Sequence, residues 1–472
     1  VGKTPLTNTI RLTGLVSGDP IVREGRFVVG RARRWGVTKG QTKTRTKTAT
    51  HTEMARVHVG RHNQDGMYTR GVWYKYDAGV WSPYHDQETS GDIWRLMEEY
   101  EAKDRVRPSK GVKDSILDMV KARLFVNEDR VDASPHLINL TNGVFNLNDS
   151  KLYPHNPDFY LTTQLPFAYD PDATAPLWQM YLLSTLVEER STTPDRELIE
   201  FVQEAVGYSL TTSVEHHVAF WCYGEGANGK GVLFHALEEL GGTSAIALNI
   251  GLLHREQYQL ANLAGKRIAL CSEASATKNL VEDALVKSLV GGDTISVRQI
   301  RREPFMLQPT AKLWWSMNEL PAVADTSEGF WRRMQVIPFN RQFKKGERIL
   351  DLKERLDKEL PGIFNWALAG LRRLRKMGGF TIPQQVADST EKYRRESNPV
   401  TLFIEDECYT ERDIHKEALS STVYARYTSW TKDNGFKPLS IKNFKHEMER
   451  LKHWAVRRAP GVFFTEIGLK GA

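Results

Sequence analysis

Cysteine is scarce in this chain. Its 472 residues hold three, Cys222, Cys271 and Cys408, far apart and without C-x-x-C or Cys/His ligand spacing. That excludes a disulfide framework and a zinc module, and leaves buried thiols of a reducing compartment as the expectation. Long apolar runs are lacking as well. No stretch approaches the roughly 18 residues needed to cross a bilayer, and the first residues show no basic segment followed by an apolar stretch and a small-residue cleavage site. A cytoplasmic protein with no membrane partner is expected.

What is present suits a multidomain globular chain. Charged residues make up 26% and hydrophobic residues 40%, with twelve Trp and nineteen Phe to fill cores, so the length predicts two to four domains. The net charge of +7 is unevenly spread: residues 1–60 hold twelve Lys/Arg against three acids, a local balance of +9. Lys43, Arg45 and Lys47 alternate with threonine there, a pattern suited to a polyanion or to a solvated tail.

Residues 1–70 read as this basic arm or a small β unit, and residues 71–210 as a mixed α+β domain. The latter opens with an aromatic hairpin, Val72-Trp73-Tyr74-Lys75-Tyr76 to Val80-Trp81, and a helix from Ile93-Trp94 onward. A second hairpin joins Leu137-Ile138-Asn139-Leu140 to Val144-Phe145-Asn146-Leu147 through Asn142-Gly143, the residue pair of a type I′ turn. Helices are predicted at 176–189 and 196–209, then a phosphate-loop domain over 211–378, closed by helical patterns at 345–358 and 361–377. Gly378-Gly379 with Pro383 predicts a hinge, and residues 379–472 a C-terminal unit. Its helix at 440–452 puts Ile441, Phe444, Met448 and Leu451 on one face, followed by a hairpin turning at Pro460-Gly461. Helices followed by a two-stranded wing predict a winged-helix module, whose Lys442, Lys445, Arg457 and Arg458 are candidate DNA contacts. The fold class is α/β.

The most informative segment is Gly224-Glu225-Gly226-Ala227-Asn228-Gly229-Lys230-Gly231, which follows the apolar run Val218 to Tyr223 and precedes Val232-Leu233-Phe234. Strand, glycine-rich loop and helix in that order cradle phosphate: Gly224, Gly226, Asn228 and Gly229 let the backbone amides curl round the anion, the helix presents its N-terminus, and Lys230 reaches the β/γ oxygens. ATP and Mg2+ are the cofactors implied. One hydroxyl is missing, because the residue after Lys230 is Gly231 where Ser or Thr would ligate Mg2+.

Downstream residues supply the remaining roles. Arg267-Ile268-Ala269-Leu270-Cys271-Ser272-Glu273 predicts a buried strand ending in a carboxylate, so Glu273 is the candidate metal ligand and base for the attacking water. Asn318, after the strand Lys312 to Met317, is the candidate sensor of the γ-phosphate. Lys287 on a helix that stops at Gly291-Gly292, and Arg298, Arg301 and Arg302 on a projecting hairpin, are candidate contacts to a single strand. Arg333, with Arg332 beside it, is placed to reach a neighbouring subunit's nucleotide.

In this order these motifs resemble the superfamily 3 helicases of the phage/plasmid primase/helicase type, related to the poxvirus primase/helicase. The likeness rests on G-x-G-x-N-G-K at 224–230, the Glu273 strand, Lys287-x-x-x-Gly291-Gly292-Asp293, Asn318-x-x-Pro321, and Trp331-Arg332-Arg333 with Ile337-Pro338-Phe339. Leu140-Thr141-Asn142-Gly143-Val144, Tyr153-Pro154-His155 and Tyr169-Asp170-Pro171 with Trp178 resemble the domain that precedes the ATPase there. The resemblance implies an AAA+-like P-loop core assembling as a homo-hexameric ring on single-stranded DNA, with ATP between subunits, and an NTP hydrolase acting as a helicase in phage, plasmid or mobile-element replication. Host cytoplasm, origin duplex DNA and a separate primase or other replication proteins are its implied surroundings. No primase centre is recognisable upstream, so primer synthesis is not expected, and Val1 without an initiator Met hints at a fragment. The competing expectation is a catalytically weak, ATP-regulated origin-binding protein, which Gly231 favours. A small-molecule kinase is disfavoured, since it would leave the arginine hairpin and the basic C-terminal unit without a purpose.

Overall fold

The computed structural model describes residues 48–62, 65–103, 105–249, 257–271, 283–299, 304–320, 327–410, 417–459 and 461–471. The arm through residue 47, Glu273, Arg301, Arg302 and Pro321 lie outside the described residues.

Helix α1 (His51–His62), the meander β1 (Gly66–Thr69), β2 (Val72–Asp77) and β3 (Val80–Tyr84), and helices α2 (Asp86–Glu101) and α3 (Lys110–Arg123) share one core. Met54, Trp73, Ile93, Leu96, Met97, Ile116 and Val120 are its centre. Residues 48–70 therefore belong to this unit and not to an arm, because Met54, Ala55 and His58 bury one face of α1 against its neighbours.

A second meander follows, β4 (Leu137–Leu140), β5 (Gly143–Asn146) and β6 (Lys151–Tyr153). The expected hairpin is present, but its turn is displaced by one residue. Leu140 pairs with Gly143, so the loop is Thr141-Asn142, and neither takes a positive φ. Gly143 instead opens β5 at φ 152°, where an added Cβ would lie 2.5 Å from the Tyr153 carbonyl oxygen. This is not the type I′ turn that Asn-Gly suggests.

Helices α4 (Pro176–Thr185) and α5 (Arg196–Ser209) lead into a five-stranded sheet. In chain order its elements are β7 (Ala219–Tyr223), α6 (Lys230–Gly241), β8 (Ala245–Leu248), α7 (Gln257–Ala261), β9 (Ile268–Cys271), α8 (Asp283–Gly291), the small hairpin β10 (Ile295–Val297) with β11 (Phe305–Leu307), β12 (Lys312–Met317), α9 (Glu328–Trp331) and β13 (Met334–Pro338). The sheet order is β13-β7-β12-β9-β8 and every pairing is parallel. Strands buried on both faces read as continuous apolar runs, as these do. Alternation sends Phe220, Cys222, Leu270, Trp314 and Ile337 to one face, under α4, α5, α6 and the later helix Leu360–Met377. Trp221, Cys271, Trp315, Met317 and Val336 go to the other, under α8 and α9. Trp221 and Trp315 meet edge to face with ring centroids 5.1 Å apart.

The helical pattern expected at 345–358 breaks into short turns with α10 (Leu352–Leu356), and α11 (Leu360–Met377) ends at Gly378 in the left-handed conformation. The hinge expected after it is tied down. Glu204 of α5, fully buried, accepts bonds from Arg373 Nε, Thr381 N and Thr381 Oγ1, and Phe380 packs on Phe201, Tyr208 and Phe220. Helix α12 (Gln384–Glu396), expected in the C-terminal unit, lies on the central sheet: Val336 N donates to Thr390 Oγ1, and Tyr393 packs on Trp221 and Trp331.

The C-terminal core begins with α13 (Pro399–Glu407), capped by Asn398. It continues through β14 (Cys408–Tyr409), β15 (Glu417–Leu419), α14 (Ser420–Asp433), α15 (Ile441–Arg450), β16 (Ala455–Arg458), β17 (Gly461–Thr465) and β18 (Gly468–Leu469). Phe403, Tyr427, Phe444, Met448 and Phe464 fill it. On the predicted helix, Phe444 and Met448 are buried but Ile441 is 57% exposed. All three cysteines are buried free thiols, as their scarcity and spacing suggested.

Candidate nucleotide site

The loop between β7 and α6 leaves the carboxyl edge of the sheet beside β12, where parallel α/β sheets place their ligands. Two glycines are required by its shape. Gly224 sits at φ 154°, where a Cβ would lie 2.6 Å from Asn228 Nδ2 and from the Phe339 carbonyl oxygen. Gly229 caps α6 at φ 90°, where a Cβ would lie 2.9 Å from Thr185 Cγ2. Among the described residues, the amides of Glu225 to Gly229 donate to no carbonyl or side chain. The loop is held from outside instead. Phe343 N donates to the Ala227 carbonyl at 2.8 Å, Tyr181 Oη to the Gly229 carbonyl at 3.1 Å, and Gln342 Nε2 to Glu225 Oε2 at 2.6 Å.

Lys230 is buried, at 4% exposure, and its ammonium donates to the Gly224 carbonyl and, at 3.0 Å, to Asn318 Oδ1. Residues 88 positions apart are joined because β7 and β12 are sheet neighbours. Asn228 is buried too: its Oδ1 accepts from Lys230 N at 3.3 Å, while its Nδ2 has no partner. A buried lysine, a bare amide group and a cradle that a Cβ would close fit the phosphates of a nucleotide. The fit to Mg2+ is poorer. Gly231 offers no hydroxyl, Glu273 is outside the described residues, and among the described residues no cluster of three or more His, Cys, Asp or Glu side chains could hold a metal. An added Cβ at Gly231 meets nothing within 4 Å, so the missing hydroxyl is not forced by crowding. Burial pushes the Cys222 thiol of β7 up, opposed by Lys230.

The other expected residues lie away from this edge: Arg333 precedes β13 at the amino end of the parallel sheet, where its carbonyl accepts from Ala219 N at 2.8 Å. Arg333 Nη1 donates to the Gly329 carbonyl and its Nε is buried without a partner, whereas Arg332 is exposed. Glu328, at the start of the same turn, is bound by Arg394 of α12 at 2.6 Å. Lys287 lies on α8, the helix that ends at Gly291, as the sequence suggested; its ammonium donates to Ser327 Oγ at 3.3 Å, beside that turn. Arg298 leaves β10 exposed, donating to Tyr258 Oη at 2.9 Å. In the C-terminal unit Lys442 and Arg457 are exposed, Lys445 lies 4.0 Å from Glu449, and Arg458 pairs with Glu417 at 2.7 Å. Tyr181, Gln342 and Phe343, which set the loop's position, have no local motif that could have marked them. The concavity bounded by Tyr84, His85, Asp86 and Gln87, about 420 Å3, shares no residue with the loop.

The sheet and its glycine-rich edge define a mixed α/β protein built on a parallel sheet. Residues 55–187 match the model described as D5 N terminal like, residues 222–333 a family of unknown function, and residues 395–470 the model described as poxvirus D5 protein-like. Two of its segments thus carry D5-like family models, one on each side of the glycine-rich loop, in line with the resemblance its motifs suggested. It is similar to proteins carrying the name "Putative helicase" from Acanthamoeba polyphaga mimivirus (26% identical, over 64% of this chain and 34% of the relative) and from Invertebrate iridescent virus 6 (24%, over 77% and 41%). Another, from Invertebrate iridescent virus 3, is 22% identical over 89% of this chain and 54% of its own length. The chain thus spans about a third to about half of the curated relatives it matches. Among solved structures it is similar to the apo A form of the NrS-1 C-terminal region, 12% identical with a TM-score of 0.49 over 89% of this chain and 99% of that one. No helix among the described residues is long and apolar enough to cross a membrane.

Proposed function

We propose that this chain is an ATP-dependent DNA helicase of a replicating genetic element, with an AAA+-like P-loop core, a winged-helix C-terminal unit and a homo-hexameric ring around single-stranded DNA. The observation that carries the reading is the bond from Lys230 to Asn318 across neighbouring parallel strands, which puts a cation and an uncharged amide together at one glycine cradle. ATP supplies the phosphoanhydride whose cleavage drives the cycle. Loop amides and Lys230 hold its phosphates; Asn318 reads the terminal phosphate; Glu273 orients or deprotonates water; Arg333 stabilises the developing charge in the next subunit. Mg2+, in this reading, is held through Glu273 and water, since Gly231 cannot contribute. The helicase-named relatives and the D5-type segments flanking the loop support the replication role.

The test is DNA-stimulated ATP hydrolysis by the wild type, Glu273→Gln, Asn318→Ala and Arg333→Ala. Each substitution is expected to lower the rate by about 10² or more, with Arg333→Ala in the range of roughly 10³ to 10⁵. A wild type no faster than Glu273→Gln sinks the motor reading and leaves the second one: an ATP-gated origin-binding protein, which the hydroxyl-free Gly231 favours. Under that alternative, ATP promotes assembly on DNA without turnover, visible as nucleotide-dependent mass in light scattering.

A further inference from the structure

Tyr181 and Phe343 are both hydrogen-bonded to the glycine-rich loop, and they differ in what else they do. Tyr181 of α4 gives its hydroxyl to the Gly229 carbonyl, is 4% exposed and belongs to the main core. Phe343 lies on the strap that follows β13. That strap begins at Phe339, whose amide donates to the Tyr223 carbonyl at 2.8 Å and keeps the chain beside β7. It then meets the loop: Gln342 Nε2 donates to Glu225 Oε2 at 2.6 Å, and Phe343 N to the Ala227 carbonyl at 2.8 Å. Glu225, Gly226 and Ala227 are the exposed part of the loop, whereas Asn228 and Lys230 are buried.

The backbone of Phe343 is held on both sides. Its amide is on Ala227, and its carbonyl accepts from Arg348 Nε at 3.3 Å and Arg348 Nη2 at 3.2 Å. The Arg341 guanidinium lies over the ring, 4.6 Å from its centre, and is fixed in turn by the Ser184 carbonyl at 3.0 Å and Glu347 at 3.4 Å. Yet the ring is half-buried and belongs to none of the apolar clusters of the described residues. A ring fixed this firmly, with a cation on one face and no core to fill, has its other face to offer. Phosphates account for the bare loop amides and Lys230, but a nucleotide also brings a flat base that has to leave the cradle. On the sheet side Asn318 bonds Lys230, and on the α4 side Tyr181 and Thr185 close against Gly229, so the exposed part of the loop, where Phe343 sits, is the way out.

We propose that Phe343 is the base-binding wall of this site: the nucleobase of a bound nucleoside triphosphate stacks on its ring, with Arg341 behind it, while the loop and Lys230 hold the phosphates. This rests on the reading of the loop as a nucleotide site and adds to it the contact that recognises the nucleoside. Gln342 is paired with Glu225, and Arg341 with Ser184 and Glu347, so the wall meets the base by its face and not by its edge.

The experiment is calorimetric titration of the full chain with ATP and, separately, with inorganic tripolyphosphate, for the wild type, Phe343→Ala and Phe343→Tyr, alongside the unfolding midpoint of each protein without ligand. Phe343→Ala is expected to weaken ATP binding about 10-fold at unchanged midpoint and to leave tripolyphosphate binding as it was, and Phe343→Tyr to retain most of the ATP affinity. The proposal is overturned if Phe343→Ala binds ATP like the wild type, or if ATP and tripolyphosphate weaken equally, which would make the ring a prop for the loop's shape. A wild type that binds tripolyphosphate as tightly as ATP overturns the wall and leaves the phosphate cradle standing, whereas one that binds neither overturns the nucleotide reading itself. ATP binding that depends on Phe343 without hydrolysis supports the wall while rejecting the motor.

Discussion

A buried lysine stands at each end of β12. At its amino end Lys312 itself is 3% exposed; at its carboxyl end Lys230 of α6, 4% exposed, reaches across to Asn318. Sequence sets Lys230 apart by its glycine-rich loop and offers Lys312 only as the first residue of an apolar strand, and the structure shows what company each keeps. The Lys312 ammonium donates to the Thr211 carbonyl and, at 2.8 Å, to that of Thr310, and lies 5.0 Å from the centre of the Tyr208 ring. Arg267, beside it on the strand pairing, donates to the Leu210 carbonyl and, at 2.6 Å, to the Leu137 carbonyl. The Leu210 and Thr211 carbonyls lie at the C-terminal end of α5 and Leu137 opens β4, so the two side chains cap a helix and fasten the 137–140 strand. Lys230 has instead an amide side chain, a carbonyl, and a loop whose own amides are unpaired among the described residues. A buried charge marks a ligand site when the groups around it are left wanting an anion, and a structural anchor when they are not.

The comparison breaks if both lysines matter in the same way. Lys230→Ala is expected to cut hydrolysis by about 10³, which is about 4 kcal/mol of barrier, with little change in the urea midpoint. Lys312→Ala should do the reverse, costing about 2–4 kcal/mol of stability through orphaned carbonyls and lost packing, with turnover per folded molecule preserved. Denaturant titration alongside ATPase separates them; a Lys312→Ala that folds normally but does not hydrolyse would merge the two classes.

Burial, reinforced by Arg267, holds Lys312 well below the ordinary lysine range. Between that folded value and the ordinary one of about 10.4 the unfolded chain carries the extra proton, so stability rises with pH across that window. Lys312→Met should flatten the rise, and an unchanged slope would show that the lysine is not the group responsible. The smallest effect is expected at Gly231→Ser, where the space is open: about fivefold faster hydrolysis, about 1 kcal/mol, if the hydroxyl reaches the metal.

Much of this was legible beforehand where a local pattern carries the physics. The runs Val218 to Tyr223 and Lys312 to Met317 are β strands because continuous apolar residues suit a sheet covered on both faces, and the cradle follows from Gly224, Gly229 and Lys230. What escaped was set by packing between distant segments. Gly378-Gly379 looked like a hinge because nothing near it announces that Glu204, far back in the chain, holds Thr381. Asn142-Gly143 carried the chemistry of one turn and sits in another, since the register of β4 and β5 follows their buried side chains rather than the turn alone. Arg458, read as a candidate phosphate contact, is paired with Glu417 on β15, a partner that no local pattern announces.

Tyr393 wedged against Trp221 and Trp331 has a practical consequence for anyone dissecting this chain. Cutting at the inviting glycine pair would strip α12 from β13 and unroof two tryptophans at the flank of the sheet. An excised central domain ending there should be sticky and poorly soluble, whereas one continued through Ser397 keeps its own wall.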